Sequence, residues 1–496
     1  MKTNQLIKKF FNKSFKNLES KKIFYKYGNN NYNYLKLKKF FLKFANFLEE
    51  YSNKRKKIAV ISEKNFEVYS TIISIILTGN IWIPINPKLP KKRIENILKT
   101  SQTDILIINK IEQLKKLKIL NFCKKNKIIF TDFDGIKKKK IEKNKFLPKK
   151  ISSEDICMIF FTSGSTGDPK GVLINYRGFL NSLFEQKRII YKNKKNLIFG
   201  DYHDTSFIIS LNILLLCFFT KNTIVPAIND AETFFPINHI KKNKINVIVT
   251  VPSTIARLRD YLKKKQLKNS FEIIVMCGEP LYLDIYDLML NKINSKKIYN
   301  CYGSTELSPW VFSHLCKKSD IFDFNKFNLI PIGKPFRHTN ALIKNNELQI
   351  SGKMLSNGYL NKNENRQKFF KINNTYWYKT GDIATMHNDC FIVTGRKDRI
   401  IKVKGYRIDL TEIEKFLRDI NSIDNAICFL NQKSEKIIIA IIECRNKLSV
   451  NKIISSLQVN IPNYMIPRKF HFMNKFPLNK SGKIDRNTIT KLYNYS

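Results

Sequence analysis

Apolar residues in the first part of this chain follow two different spacings, which alternate in order. Some segments place them three or four residues apart, as on one face of a helix, whereas others are short continuous apolar runs, which are typical of buried strands. The predicted helices cover residues 34–51, 66–77 and 91–100, and the predicted strands cover residues 58–63, 81–85 and 105–109. This order predicts a layered α/β domain.

The pattern changes further along the chain. Lysine-rich sequence at 136–150 predicts a solvated loop, and the apolar run at 157–161 (CMIFF) predicts a buried strand. Residues 331–393 resemble short strands separated by Gly, Asn and Pro turns, which indicates a small β-barrel-like subdomain, and a mixed stretch of strands and helices follows Gly395. The longest apolar run, at 207–219, is shorter than the roughly 20 residues of a membrane-spanning helix. It therefore predicts a buried helix and no membrane span.

Composition limits the classes of function that need consideration. At 496 residues the chain exceeds a usual single domain, so at least two domains are expected. Its formal net charge of +49 is mostly lysine spread along the whole chain, which predicts a solvated surface and not a nucleic-acid partner. The nine cysteines form no CxxC pair and the amino terminus has no apolar h-region, so we expect free thiols in a cytoplasmic protein.

A glycine-rich segment with phosphate-binding chemistry occupies residues 161–171 (FTSGSTGDPKG). Its glycines allow backbone N–H groups to turn toward a polyphosphate, while its hydroxyls donate hydrogen bonds and its lysine supplies a cation. The glycine spacing differs from that of the Walker loop. The segment predicts a loop that binds the phosphates of ATP through Thr162, Ser163, Gly164, Ser165, Thr166, Gly167 and Lys170.

Four further motifs follow this loop in order: YGSTE at 302–306, YKTGD at 378–382, GRKDRIIKVKGYRIDLTEIE at 395–414 and PLNKSGKIDR at 477–486. Together with the loop they resemble the adenylate-forming superfamily, which includes acyl-CoA synthetases, luciferases and amino-acid adenylation domains. Residues 79–94 (GNIWIPINPKLPKKRI) are similar to the GAxYVPxDPxxPxxRI segment of the family, so the resemblance covers nearly the whole chain.

The resemblance implies a two-domain architecture. An α/β adenylation domain is expected over residues 1–397, with its β-rich subdomain at about 331–395. A small mobile α+β lid domain is expected over residues 398–496, with a hinge near Asp398.

The resemblance also implies a chemistry. Members of the family attack the α-phosphate of ATP with a carboxylate, which releases pyrophosphate and leaves a reactive acyl-adenylate. It implies that Tyr302 stacks on adenine, that Thr305 contacts the α-phosphate, and that Glu306 is a ligand of Mg²⁺, which prefers hard oxygen ligands. Asp382 is expected to bind both ribose hydroxyls, and Arg396 is expected to reach the ribose or a phosphate.

Two lysines are implied to act in turn. Lys483, in the GKIDR turn, resembles the catalytic lysine that bridges the substrate carboxylate and the α-phosphate, and preorganised charge of this kind commonly contributes about 3–4 kcal/mol. In the second half-reaction the carboxy-terminal domain is expected to rotate about Asp398. Lys404 and Gly405 are then expected to line the tunnel of the acceptor thiol, which belongs to phosphopantetheine or CoA.

The residue that separates the subfamilies is Asp204. Residues 203–207 (HDTSF) resemble the FDxS element of amino-acid adenylation domains, whose aspartate pairs with the substrate α-ammonium, although His203 stands where phenylalanine is usual. MCGEPL at 276–281 resembles D-alanine:D-alanyl carrier protein ligases, and the short sequence after GKIDR implies a separate carrier protein. The implied pocket is small and is lined by Thr205, Ile208, Val275, Cys277, Cys301, Pro309 and Trp310.

The sequence thus predicts a free-standing ligase that adenylates a small amino acid, with D-alanine as one candidate, and loads it onto a carrier protein. Two alternatives stay open. An acyl- or aryl-acid:CoA ligase would not need Asp204. A non-catalytic or nucleic-acid-binding protein would not need the intact set of Lys170, Glu306, Asp382 and Lys483.

Overall fold

The computed structural model describes residues 3–51, 54–141, 150–163, 169–192, 194–431, 436–444, 448–477 and 484–494. The chain forms two compact units. Unit 1 comprises Met1–Pro87, Lys99–Phe161 and Gly171–Lys397, and unit 2 comprises Lys88–Leu98, Thr162–Lys170 and Asp398–Ser496. The main division falls between Lys397 and Asp398, and the roles of adenylation domain, hinge and lid stay predictions.

The strands within the described residues are β1 Ile23–Tyr27, β2 Asn30–Asn33, β3 Lys57–Ile61, β4 Ile81–Ile85, β5 Ile105–Ile108, β6 Ile129–Asp132, β7 Ile156–Thr162, β8 Lys170–Asn175, β9 Ile198–Asp201, β10 Thr223–Pro226, β11 Val247–Thr250, β12 Leu267–Phe271, β13 Ile273–Cys277, β14 Ile293–Ser295, β15 Ile298–Gly303, β16 Trp310–Leu315, β17 Lys334–Pro335, β18 Thr339–Lys344, β19 Glu347–Gly352, β20 Phe369–Ile372, β21 Thr375–His387, β22 Cys390–Arg396, β23 Ile400–Val403, β24 Tyr406–Asp409, β25 Asn425–Asn431, β26 Ile437–Glu443 and β27 Lys469–Met473.

The helices within the same residues are α1 Thr3–Leu18, α2 Tyr34–Glu49, α3 Phe66–Leu77, α4 Lys91–Thr100, α5 Glu112–Lys116, α6 Leu120–Lys125, α7 Phe133–Lys138, α8 Tyr176–Gln186, α9 Ile208–Phe219, α10 Asp230–Phe234, α11 Ile237–Asn243, α12 Pro252–Arg257, α13 Arg259–Lys264, α14 Leu283–Lys292, α15 Asp320–Asp323, α16 Lys362–Lys368, α17 Leu410–Arg418, α18 Val450–Gln458 and α19 Arg486–Asn494.

One sheet of unit 1 has six strands in the order β6-β5-β3-β4-β7-β8, and its pairs from β6 to β7 are parallel. Parallel neighbours need crossover connections, which helices such as α3 supply. α3 begins after Asn65, whose side chain accepts a hydrogen bond from the Val68 N–H at 2.8 Å, and all its residues except Glu67 are buried. The buried helix satisfies its own backbone while its apolar side chains fill the core.

The second sheet of unit 1 has nine strands in the order β17-β16-β15-β13-β11-β9-β10-β1-β2. The run from β15 to β1 is parallel, and the edge pairs are antiparallel. Strands β9, β13 and β15 end at Asp201, Cys277 and Gly303. Because the carboxyl ends of parallel strands meet at one edge, the segments that follow them lie where α/β proteins bind their ligands.

The β-rich part of unit 1 is a five-stranded antiparallel sheet of β18 to β22. The 13-residue strand β21 pairs with three neighbours, and its register places Asp382 opposite Arg396 of β22.

Unit 2 contains the hairpin β23–β24 and the three-stranded sheet β25-β26-β27. Helix α17 begins after Asp409, whose carboxylate accepts from the Thr411 N–H at 2.9 Å. The face of α17 that carries Ile413 and Leu417 is fully buried in a separate apolar core.

The predicted elements up to residue 109, the strand at 157–161 and the buried helix at 207–219 are confirmed, with ends that differ by a few residues. The solvated loop predicted at 136–150 is wrong at its start, because α7 extends to Lys138. Asp132 accepts from the Gly135 N–H at 2.8 Å and so caps α7, and Phe133 and Ile136 are buried in the core. Helix α1 was not predicted, although Ile7, Phe10 and Phe11 have the spacing of a buried helical face.

All nine cysteines are free thiols, and all except Cys316 are buried. Among the described residues, no helix combines the length and the apolar character needed to cross a bilayer.

Candidate active site

Three of the predicted nucleotide-binding residues form one hydrogen-bonded group in unit 1. The Tyr302 hydroxyl donates to one carboxylate oxygen of Asp382, and Arg396 Nη1 donates to the other at 2.5 Å. Arg396 Nη2 also donates to the Thr380 carbonyl at 3.1 Å, and the Thr380 hydroxyl accepts from the Asp382 N–H at 3.0 Å. The group brings a phenol, a carboxylate and a guanidinium together from β15, β21 and β22.

Burial keeps the phenol of Tyr302 protonated. Tyr302 is 8 % exposed, and burial raises the pKa of its phenol well above the usual value, as do the charge and the hydrogen bond of Asp382. The phenol therefore stays a neutral donor near neutral pH. Asp382 keeps acceptor capacity beyond the two bonds, since a carboxylate offers about four acceptor positions.

The YGSTE motif leaves β15 and enters a single 3-10 turn at Thr305–Leu307. A Cβ on Gly303 would lie 1.9 Å from the Pro309 carbonyl oxygen, so only glycine fits this close approach. Thr305 is half-buried, whereas Glu306 is fully buried and accepts from the Tyr359 hydroxyl at 2.8 Å.

Glu306 fits a Mg²⁺ site that is shared with substrate phosphates better than a site in which protein side chains alone bind the ion. Among the described residues there is no group of three or more His, Cys, Asp or Glu side chains that would hold an ion alone. Mg²⁺ is usually held by one or two carboxylates with substrate phosphates and waters, so a single buried carboxylate beside a nucleotide fits it.

Asp204 lies in the turn between β9 and α9. Its Oδ1 accepts from the Ser206 N–H at 2.8 Å and from the Ser206 hydroxyl at 2.5 Å, while its Oδ2 accepts from Asn86 Nδ2 at 3.0 Å. All three donors are neutral. No lysine or arginine of the described residues lies within ion-pair distance of Asp204. The half-buried Lys64, which donates to the Asp201 carbonyl at 2.8 Å, is near enough to interact electrostatically with Asp204 but makes no direct ion pair with it.

The predicted pocket residues share the edge of the nine-stranded sheet. Cys277 and Cys301 are paired across β13 and β15, and Val275 lies two residues before Cys277 on the same strand. All seven predicted pocket residues are buried, and five of them belong to one apolar cluster: Ile208, Val275, Cys277, Cys301 and Trp310.

Two contacts of the pocket were missed from the sequence. Asn86, which holds Asp204, stands in the segment that resembles GAxYVPxDPxxPxxRI at the position of its aspartate, and that position was the available signal. Tyr191 is 1 % exposed and its hydroxyl has no hydrogen-bond partner among the described residues. Burial raises the pKa of Tyr191 well above its usual value, as do the nearby thiols of Cys301 and Cys277. No sequence motif marks Tyr191.

His203, which replaces the usual phenylalanine, has a backbone partner. Its Nε2 lies 3.1 Å from the Val249 carbonyl, and loss of hydration lowers the pKa of His203. A neutral imidazole that donates from Nε2 therefore accounts for the substitution.

The predicted residues of unit 2 are described separately. Thr162 ends β7, Lys170 begins β8, and the Ser163 hydroxyl donates to the Arg407 carbonyl at 2.8 Å. Asp398 accepts from the Ile400 N–H at 3.4 Å. The other loop positions, Gly164, Ser165, Thr166 and Gly167, and the predicted catalytic Lys483 lie outside the described residues.

Lys404 and Gly405 form the two-residue turn of the hairpin β23–β24. Their φ angles are 52° and 82°, so both residues adopt the left-handed region that tight hairpin turns require. The lysine is thus presented at the tip of a hairpin.

Glu414 joins two of the motifs within unit 2. It is 1 % exposed in its side chain and receives Arg399 Nη1 and Nη2 at 2.5 and 2.6 Å, with Arg486 Nη1 and Nη2 at 3.0 and 3.1 Å. Burial by itself raises the pKa of Glu414, but the hydrogen bonds from Arg399 and Arg486 outweigh it and hold the pKa below the usual value. Arg399 belongs to GRKDR and Arg486 to GKIDR.

Comparison with known proteins gives the family. The chain matches the AMP-binding enzyme family over residues 11–360, which is more than two thirds of its length. It is 28 % identical over 479 residues to the D-alanine--D-alanyl carrier protein ligase of Staphylococcus epidermidis, covering 90 % of this chain and 93 % of that protein. It is 29 % identical over 463 residues to gramicidin S synthase 2 of Aneurinibacillus migulanus, but it spans only 10 % of that protein's length.

Among solved structures, the fold matches the Vibrio cholerae adenylation domain AlmE, which was crystallised with glycyl-adenosine-5'-phosphate. The TM-score is 0.83 at 18 % identity, with 99 % of this chain and 98 % of that chain covered. With the family match and the motif geometry above, this chain belongs to the AMP-binding enzymes of the adenylate-forming superfamily.

Proposed function

We propose that this protein uses ATP to adenylate a small amino acid and then transfers the aminoacyl group to the phosphopantetheine thiol of a separate carrier protein. In the first step a carboxylate oxygen attacks the α-phosphorus of ATP, the bond to the β-phosphate oxygen breaks, and pyrophosphate leaves. In the second step the thiol attacks the aminoacyl carbonyl and AMP leaves. The observation that carries the proposal is the Asp204 carboxylate, which is oriented by three neutral donors and has no direct ion-pair partner among the described residues.

The nucleotide half of the proposal is supported by the group of Tyr302, Asp382 and Arg396. Asp382 has acceptor positions for the ribose hydroxyls, and its orientation is fixed from both sides. Glu306 would hold Mg²⁺, which would neutralise phosphate charge during the attack. Thr305, Lys170, the loop residues at 162–167 and Lys483 are assigned to the phosphates by their places in the motifs.

The amino-acid half is supported by the surroundings of Asp204. A carboxylate that is oriented by three neutral donors and has no direct ion pair is available to bind an ammonium group. It follows β9 at the sheet edge where β13 and β15 carry the apolar pocket residues. A charged head group with a small apolar side chain matches this combination, and a fatty or aryl acid has no group for the carboxylate to bind.

The proposed size of the substrate is based on the pocket residues, and the proposed acceptor is based on a relative of this chain. Pro309 and Trp310 are both buried at the pocket, which favours a small side chain. The Staphylococcus epidermidis relative, which is covered along nearly its whole length, has a carrier protein as its acceptor and D-alanine as its substrate by name. Lys404 and Gly405 at the tip of their hairpin are assigned to the thiol tunnel.

The test is amino-acid-dependent ATP/pyrophosphate exchange over a panel of D- and L-amino acids, with fatty and aryl acids on the same plate. We expect exchange with one or a few small amino acids. Exchange with only a fatty or aryl acid would replace the proposal with a CoA ligase, and exchange with no acid would indicate a protein without this catalysis. Transfer of labelled amino acid to a holo carrier protein, compared with CoA, then identifies the acceptor.

A further inference from the structure

A basic groove lies beside α1 and the end of α8, outside the candidate active site residues. It is an open depression with a volume of about 660 Å³. Its lining includes five long cationic side chains, Lys9, Lys187, Arg188, Lys192 and Arg337. We refer to these five residues and the surface between them as the α1–α8 groove.

The groove has little negative charge of its own. Glu185 is the one carboxylate of its lining, and it is paired with Arg188 at 2.6 Å. The other four cations have no ion-pair partner among the described residues.

Lys13 lies next to the groove, and its ammonium group is close to those of the neighbouring lysines. Lys13 lies over the Phe219 ring at 4.6 Å, and Lys187 lies over the same ring at 5.7 Å. Burial and the neighbouring ammonium groups of Lys187, Lys9 and Lys221 lower the pKa of Lys13 to about 8. Aromatic contacts therefore hold like charges together at a cost in electrostatic free energy.

A lysine-rich composition does not account for this arrangement. Composition predicts lysines that point apart into water, where repulsion is screened. In the α1–α8 groove Lys187 is half-buried and the other four cations are exposed, yet all five line one depression that has a single carboxylate. Anion binding would relieve the repulsion, and lysine ammonium groups and arginine guanidinium groups are the usual protein partners of phosphate.

We propose that the α1–α8 groove binds a soluble small molecule that carries two or more phosphate groups. The volume of the depression lies in the range of small-ligand sites, which favours a compact ligand over an extended polymer. The excess of four unpaired cations calls for more than one negative charge. This binding site does not depend on the substrate or the acceptor of the proposed ligase reaction.

The test uses inorganic triphosphate as the probe in calorimetric titrations of three proteins: the wild type, the groove variant Lys9→Gln with Lys187→Gln, and the control Lys263→Gln with Lys264→Gln. The control removes the same charge from exposed lysines of α13. The nucleotide site contributes equally to all three, so a difference reports the groove. Unfolding temperature and ATP/pyrophosphate exchange check that each variant is folded.

We expect two binding events in the wild type and the control, and in the groove variant a weakening of one event by about tenfold per lysine, the low end for charge-assisted hydrogen bonds. At pH 8 the groove event should take up a proton, because an anion raises the pKa of Lys13, and Lys13→Gln should abolish that uptake. An unchanged titration in the groove variant, or equal weakening in both double variants, would overturn the proposal. A single wild-type event that only the groove variant weakens would support the groove and would count against the nucleotide site alone. Binding of anionic lipid vesicles or polyglutamate without binding of triphosphate would also overturn it.

Discussion

Replacing Asp204 with asparagine separates its charge from its place in the turn. The amide oxygen of asparagine can still accept from the Ser206 N–H and hydroxyl, which now lie at 2.8 and 2.5 Å. Asn86 can reverse its amide and accept from the new NH₂ group in place of donating to Oδ2. We therefore expect Asp204→Asn to fold normally and to lose only the negative charge.

The size of the effect follows from the bond that the substrate ammonium would lose. A hydrogen bond to a charged group contributes about 1.5–3 kcal/mol, which corresponds to about 10- to 150-fold in affinity. We expect the KM for the amino acid in ATP/pyrophosphate exchange to rise by that factor. The KM for ATP should change little, because the contacts of Asp382 and Arg396 do not involve Asp204.

Ser206→Ala is the matched control. It removes the 2.5 Å bond to Asp204 while it leaves the carboxylate charged. We expect it to change the amino-acid KM by less than about threefold, because Asp204 keeps its charge and its bonds to the Ser206 N–H and to Asn86, so the lost bond acts on the ammonium group only through orientation. An unchanged KM in Asp204→Asn, or an equal rise in Ser206→Ala, would refute the assignment of Asp204 to the ammonium group.

Three further predictions concern buried polar groups. Tyr302→Phe removes the donor to Asp382 and should raise the KM for ATP by about fivefold, because one hydrogen bond that orients the ribose-binding carboxylate is worth about 1 kcal/mol; an unchanged KM would contradict this role. Tyr191→Phe should raise the free energy of unfolding in urea by about 1 kcal/mol, since its buried hydroxyl has no hydrogen-bond partner in the described part of the chain, and a loss of stability would indicate an unrecognised one. Glu414→Gln should lower the free energy of unfolding by about 2–3 kcal/mol, less than for a fully buried pair because Arg486 is 43 % exposed. The depressed pKa of Glu414 stabilises the fold above its unfolded pKa, and this contribution is lost as pH falls through the folded pKa, so the difference between wild type and Glu414→Gln should shrink in acid denaturation curves.

Local patterns in the sequence predicted most helices and strands of the α/β region. They did not predict hydrogen-bond partners that are distant in sequence. The helix at 66–77 and the strand at 81–85 were predicted with the bounds that α3 and β4 have, because apolar spacing and capping act over a few residues. The bonds of Asn86 to Asp204 and of Tyr359 to Glu306 join residues 118 and 53 positions apart. Such pairs depend on the order of strands in a sheet, which apolar spacing does not encode.

Composition predicted that most lysines would be solvated, but it could not predict which lysines would lie close together. The sequence predicted lysines that are solvated along the whole chain, and Lys263 and Lys264 of α13 are exposed as expected. It did not predict that Lys13 and Lys187 would share one aromatic ring, because α1 was not recognised as a helix and the position of α8 beside it follows from packing.

The contacts of Glu414 connect two motifs that the sequence treats as independent. Arg399 lies in GRKDR and Arg486 ends GKIDR, yet one carboxylate binds both guanidinium groups, and Arg486 follows Lys483 by three residues. A substitution of Glu414 can therefore displace Arg486, which follows the proposed catalytic lysine by three residues, although Glu414 and Arg486 lie 72 positions apart in sequence. Loss of adenylation activity in Glu414→Gln with substrate KM values unchanged would mark Glu414 as a positioning residue, because a change in KM alone would instead indicate altered binding of ATP or the amino acid.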